Sequence, residues 1–184
     1  MISLRPCESN ERATVEAAGR GEVNALAGLY ERYYAAMVWV AYSVLLDPGL
    51  AEDAAQQTFA TAYHKIRSLR QHDRFGPWLA TICRNTAHEM VRASRREAAL
   101  QKRAVSEARL ASGSDGFDNA VKEAVDTLPA MYREVVVLHY YSGMSYEEIE
   151  SVLGVSGDVV KGRLARARKQ IQVYLKKEGF RREQ

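Results

Sequence analysis

The sequence holds only two cysteines, Cys7 and Cys83, and no Cys-x-x-Cys pair. That excludes a disulfide framework and a thiolate zinc site, and it fits a chain working in a reducing cytoplasm. The histidines, His64, His72, His88 and His139, show no metal-ligand spacing, so neither metal nor cofactor is expected. Proline occurs only at positions 6, 48, 77 and 129, and β-branched alternation is scarce, which argues against strands. No apolar run reaches the ~20 residues of a membrane span. The opening stretch "MISLRPCESNERATVEAAGRG" has no apolar core of an export signal. No membrane insertion is expected, and no internal repeat is present. The carboxylates Glu147, Glu148 and Glu150 sit beside a helix-capping signal and show no acid–base pairing, so no catalysis is expected.

What the chain does have is segregated charge. Its net charge is only +3 over 184 residues. Residues 1–64 carry −4, residues 65–103 carry +7, residues 104–160 carry −7 and residues 161–184 carry +7. Two separate basic blocks suggest two contacts with a polyanion. The acidic blocks suggest surfaces that avoid nucleic acid and meet protein instead.

The second basic block contains "VSGDVVKGRLARARKQ", Val155 to Gln170. At about 100° per residue, Val160, Leu164, Ala167, Ile171 and Leu175 share one face. Gly162, Ala165, Arg166 and Lys169 lie opposite, with Lys161 and Arg168 on one flank and Arg163 on the other. Small residues allow close approach to a surface, and the cations supply attraction. Ser156 is the expected N-cap, and Asp158 suits the positive end of the helix dipole. Just before it, "SYEEIESVLG" reads as a short helix. Ser145 and Glu148 form a capping box, and Gly154 suits the C-terminal stop. Helix, short turn, basic helix is the arrangement in which the second helix enters the DNA major groove.

The rest reads as helix too. Expected helices span about 22–46 and about 50–66, broken by "DPG" at 47–49, with a third starting at Pro77. In the third, Phe75, Trp78, Leu79, Ile82, Thr86 and Met90 are expected to face inward. Arg84, His88 and Arg95 point away, with Thr81, Asn85 and Arg92 on a flank. The preceding loop holds Arg70, Gln71, His72, Asp73 and Arg74, polar and planar groups suited to bases beside a cationic surface. "ASGSDGFDNA", 111–120, reads as a linker. After it come a helix into Leu128 and another opened by Pro129. The fold class expected is all-α, with two small helical domains joined by a short linker. The expected division is an N-terminal extension 1–21, a first domain 22–98, a linker 99–120, a second domain 121–178 and a basic tail 179–184.

Three segments together carry a resemblance: "LAEDAAQQTFATAYHKI", "FGPWLATICRNTAHEMVRASRR" and "LPAMYREVVVLHYYSGMSYEEIESVLGVSGDVVKGRLARAR". In this order they resemble bacterial RNA polymerase sigma factors of the extracytoplasmic-function (ECF) class, over about residues 24–175. The resemblance implies a second-region helical bundle and a fourth-region helix-turn-helix domain. It implies promoter recognition and strand opening on behalf of core RNA polymerase, gripped through its clamp coiled coil and flap. Promoter DNA would be met both as duplex and as melted single strand, and an anti-sigma factor is a further expected partner. Asp53, Gln56 and Gln57 match the clamp-binding segment, with Phe59 read as core. The loop Leu69 to Phe75 matches the segment that captures a flipped base of the downstream promoter element, and Asn85 matches a contact to that element. Arg84, His88 and Arg92 are carried over as duplex or phosphate contacts. Lys161, Gly162, Ala165 and Arg166 match positions that read the upstream element. Arg163, Arg168 and Lys169 complete its cationic surface, the first two as phosphate contacts or partners of acidic neighbours.

The chain departs from the family pattern in places. Asp158-Val159-Val160-Lys161-Gly162-Arg163 replaces a start that usually carries Thr and Ser hydroxyls. Glu150 stands where Ala is usual, and Ala165 where a bulky groove residue is common. The loop "LRQHDRFG" lacks the frequent Phe-Arg-Gly. A stand-alone helix-turn-helix regulator explains residues 145–170 equally well, but not "AEDAAQQTF" or "WLATICRN".

Overall fold

The computed structural model describes residues 11–100 and 117–179, and among them there is no strand. Residues 1–10, most of the expected linker and the tail beyond Gly179 lie outside that range. The α-helices are α1 (Glu11–Gly19), α2 (Val23–Leu45), α3 (Pro48–Lys65), α4 (Phe75–Leu100), α5 (Phe117–Asp126), α6 (Ala130–Val136), α7 (Tyr146–Leu153) and α8 (Gly157–Lys177).

The α2–α3 break follows from local chemistry. Leu46 closes α2 in the left-handed region at φ 56°. Asp47 then caps α3, its Oδ1 accepting from Leu50 N at 2.9 Å, and Pro48 fills the first turn, where its missing N–H costs nothing. α3 buries Ala51, Ala54, Ala55, Thr58 and Ala62, side chains short enough for close helix contact. Tyr33 of α2 is fully buried, its ring edge-on to Phe75 at 5.3 Å.

The inward face of α4 differs from the expected one. Phe75 and Leu79 are buried as expected, but Trp78, Ile82, Thr86 and Met90 are only half-buried. The fully buried line is Leu79, Ala80, Cys83 and Ala87. α4 packs against both α2 and α3, and small side chains occupy that contact while the larger ones fill its edges. The Cys83 thiol donates to Met37 O at 3.2 Å, and burial pushes its pKa up to about 12, so it stays an inert thiol.

The stretch expected as an extension carries α1. Val15 and Ala18 are buried against the bundle. Buried Glu11 accepts from Tyr33 Oη at 2.7 Å and from Arg32 Nη1 at 3.1 Å.

In the second unit, α6 runs into a π-helical segment, Val137–Tyr141, and Ser142 N reaches back to Val137 O at 3.0 Å. The α7 capping box is present: Glu148 N donates to Ser145 Oγ at 3.2 Å, and Ser145 N donates to Glu148 Oε2 at 2.7 Å. Gly154 ends α7 at φ 65°, a left-handed conformation that favours glycine. Ser156 has extended N-cap backbone angles, but its hydroxyl makes no cap bond, so the expected cap is one of backbone only. Val160, Leu164 and Ala167 of α8 are fully buried.

The two units meet through polar anchors. Arg133 is 5% exposed and donates to Ser43 O (2.7 Å) across the junction. It also donates to Leu128 O (2.9 Å) and Asp126 O (3.1 Å) on its own side. Tyr42 Oη donates to Asp126 Oδ2 at 2.8 Å, and Lys122 lies 5.1 Å from the Tyr42 ring centre. Trp39 packs on Tyr141 with ring centres 4.7 Å apart.

Candidate nucleic-acid and polymerase interface

On α8 the helical period separates core from surface. With Val160, Leu164 and Ala167 buried, Lys161, Ala165, Arg166, Arg168 and Lys169 are exposed, and Gly162 and Arg163 are half-exposed. Space around Gly162 is open, since a Cβ there would meet nothing within 4 Å. This outward face is therefore flat around Gly162 and Ala165 and flanked by cations. Arg168 is already engaged: its Nε donates to Tyr140 Oη at 2.6 Å, and its guanidinium lies 5.7 Å from that ring centre. Lys161 Nζ is 3.9 Å from Asp158 Oδ1, an exposed pair worth little. Arg166 bonds to no other described side chain.

One departure in this segment, Glu150, has a local explanation. A Cβ at Gly157 would lie 2.0 Å from Glu150 Oε1. The Glu150 carboxylate thus occupies the space beside the first residue of α8, near the positive end of its dipole. Glycine at 157 is what makes room for it.

The loop between α3 and α4 contains two 3₁₀ turns, Ile66–Ser68 and His72–Arg74. Arg70, Gln71, Asp73 and Arg74 are exposed, and His72 and Leu69 are half-buried. Asn85 is exposed on α4, one position from Arg84. Arg92 is exposed too, and lines an open groove of about 480 Å³ with Gln57, Glu89 and Arg96. Asp53, Gln56 and Gln57 share the exposed side of α3. Phe59 is half-buried, its ring centre 4.8 Å from that of exposed Tyr30.

Arg84 and His88 behave differently from their neighbours. Arg84 Nε donates to Glu134 of the second unit, whose side chain is 9% exposed. His88 Nε2 lies 3.9 Å from the same carboxylate, and desolvation lowers its pKa below the ordinary imidazole value. The structure therefore brings these two candidates to the junction between the units. Sequence reasoning missed Glu134, Tyr140 and α1 as neighbours of the candidate surfaces. A signal for Glu134 was present: Arg133-Glu134 in "REVVV" places charges beside a run of core valines.

Comparison with known proteins decides the family. Residues 29–97 match the family described as Sigma-70 region 2, and residues 118–171 match Sigma-70, region 4. The chain is 29% identical over 149 residues to the ECF RNA polymerase sigma factor SigM of Bacillus subtilis, covering 78% of this chain and 91% of that one. It is 32% identical over 141 residues to the protein named "Probable RNA polymerase sigma factor RfaY" of Xanthomonas campestris, covering 70% of this chain but 35% of that one. The chain belongs to the ECF class of sigma factors.

A solved structure agrees. The sigma factor RpoE of Bartonella quintana, in complex with the anti-sigma factor NepR, superposes with a TM-score of 0.71 at 27% identity, over 82% of this chain and 96% of that one. This sigma factor is thus a DNA-recognition subunit of RNA polymerase and not itself an enzyme. It directs core polymerase to promoters. The region 2 match favours this reading over that of a stand-alone regulator, which explained the C-terminal segment alone. No helix among the described residues is long and apolar enough to cross a membrane.

Proposed function

We propose that this sigma factor reads the upstream element through the outward face of α8 and the downstream element through the loop 69–75 and the flank of α4, working in the cytoplasm. Lys161, Gly162, Ala165 and Arg166 approach base edges, while Arg163 and Lys169 hold phosphates. Arg70, Gln71, His72, Asp73 and Arg74 face the melted strand, and Asn85 and Arg92 extend that surface. Asp53, Gln56 and Gln57 grip the clamp coiled coil. The observation that carries this reading is the separation of the exposed surface: a flat cationic face on α8, a polar loop before α4 and an uncharged-to-acidic strip on α3. An anti-sigma factor is a further partner in the proposal, supported by the relative RpoE having been solved in complex with the anti-sigma factor NepR.

The test is transcription with core polymerase from a randomised promoter library. A motif with two separated conserved blocks supports the reading, and transcripts without any shared motif refute it. The free chain is expected to bind the selected duplex weakly, because Arg84 and His88 are held at Glu134 and the first helices are acidic. Gel shift measures this, and nanomolar specific binding without polymerase counts against it.

A further prediction concerns the polymerase contact. Asp53→Ala with Gln56→Ala is expected to weaken core binding and to change folding stability by only about ±0.5 kcal/mol, since both side chains are exposed. Competition pull-down with core polymerase reads the first effect and urea denaturation the second. Unchanged affinity would place the clamp contact elsewhere.

A further inference from the structure

α1 lies before the region matched by the family description, which begins at residue 29. It nevertheless holds both ends of the loop between α3 and α4. At one end Arg67 Nε donates to Gly19 O at 3.1 Å. At the other, His72 Nδ1 lies 3.2 Å from Glu16 Oε1. α1 is itself fixed, through buried Val15 and Ala18 and through Glu11, which is bonded to Tyr33 and Arg32. Arg12 Nε donates to the same Glu16 oxygen at 3.0 Å and keeps the carboxylate aimed. The histidine is therefore the one member of the loop's polar row whose ring is braced by another element.

The chemistry of that brace is directional. An ionised carboxylate only accepts, so the neutral imidazole bonded to it must carry its proton on Nδ1. In that neutral form Nε2 is a bare acceptor, and it makes no hydrogen bond to another described residue. We infer that Glu16 is a specificity-determining positioning residue: through His72 it presents an acceptor to the melted strand, selecting an unpaired adenine or cytosine. The selection is made at one place on the base edge, C6 of a purine or C4 of a pyrimidine, where adenine and cytosine carry an amino donor and guanine and thymine a carbonyl; the ring N–H groups of guanine and thymine and the guanine 2-amino group lie farther along that edge. The inference rests on the reading that loop 69–75 faces the melted strand.

Glu16→Gln separates this role from a structural one. Glutamine keeps the shape, but its amide can donate to Nδ1, which frees the imidazole proton to sit on Nε2 and offer a donor instead. The experiment uses the full chain with core polymerase on fork-junction DNA of the selected promoter. His72→Ala first identifies the base position whose preference it relaxes. At that position the amino group is then removed, by placing purine for adenine or 2-pyrimidinone for cytosine. Wild type is expected to lose on the order of tenfold in complex formation, and Glu16→Gln is expected to lose little. Thermal melting of Glu16→Gln should match wild type. If Glu16→Gln discriminates as wild type does, or if the position prefers guanine or thymine, the inference is overturned while the loop reading stands. If alanine at all of Arg70 to Arg74 leaves every base preference intact, the loop reading falls and the inference with it.

Discussion

Arg133→Ala is expected to cost about 3 kcal/mol of folding stability. The guanidinium is buried and donates to three carbonyls, those of Ser43, Asp126 and Leu128. Two of these, Asp126 O at the last residue of α5 and Leu128 O just beyond it, lie where helical carbonyls have no intrahelical partner. Alanine removes the donors and leaves a void that the neighbouring valines cannot fill with a polar group. Desolvation lowers the Arg133 pKa from its ordinary value, opposed by Asp126, but an arginine remains charged at any working pH. Lysine should recover only part of the loss, because one ammonium lacks the planar fork that spans carbonyls on both sides of the junction. Urea titration followed by tryptophan emission reads the result with spatial resolution. Trp39 sits on Tyr141 at the junction, whereas Trp78 lies against Phe75 inside the first unit. In a Trp78→Phe background the Trp39 transition should move to lower urea on Arg133→Ala. A loss below about 1 kcal/mol would mean that water satisfies the carbonyls and that the arginine is dispensable.

The same junction shows where sequence reasoning stops. The helices α2, α3, α7 and α8 were legible because their breaks carry chemistry: "DPG" between the first two, a capping box at Ser145 and a left-handed Gly154. The buried stripe of α8 was legible because Val160 and Leu164 are large. The stripe of α4 was misjudged because Cys83 and Ala87 are small, and a hydropathy pattern follows large side chains rather than close helix contacts. α1 escaped notice because "ERATVEAAG" offers one valine and a few alanines, too little for a periodic signal. Its stability comes from a tertiary polar contact, Glu11 with Tyr33 and Arg32, far apart in sequence. The Arg84–Glu134 pair was not legible as a pair: Arg84 reads as a charge pointing away from the core of its own helix, and only packing of the two units makes Glu134 its partner. For the candidate sites, the residue types followed from the resemblance. Which side chains are free and which are engaged did not, as Arg168 on Tyr140 illustrates.

Arg166→Ala is expected to relax base preference at one position of the upstream element by about 1–3 kcal/mol, the discrimination of a bidentate arginine–guanine contact. The geometry of α8 favours this. Arg166 lies opposite buried Val160, Leu164 and Ala167, is exposed and is bonded to no described neighbour. Gly162, one turn before it, leaves open space, and Ala165 beside it is short, so the helix backbone can sit deep in the groove. Arg163 is half-exposed and nearer the buried side, where its guanidinium is expected to meet the groove wall rather than its floor. Its loss should weaken all promoters alike and lower the salt slope by about one unit. Arg168 gives a third pattern: it is held by Tyr140, so Arg168→Ala should act partly through the packing of α8 on the π-helical segment. The measurement is transcription from every single-base variant of the upstream element with wild type, Arg166→Ala and Arg163→Ala, repeated at two salt concentrations. A preference lost at one position only for Arg166→Ala establishes base reading. A uniform loss for both variants, with equal salt slopes, would make the whole run an electrostatic clamp, and specificity would then have to come from the shape of the DNA.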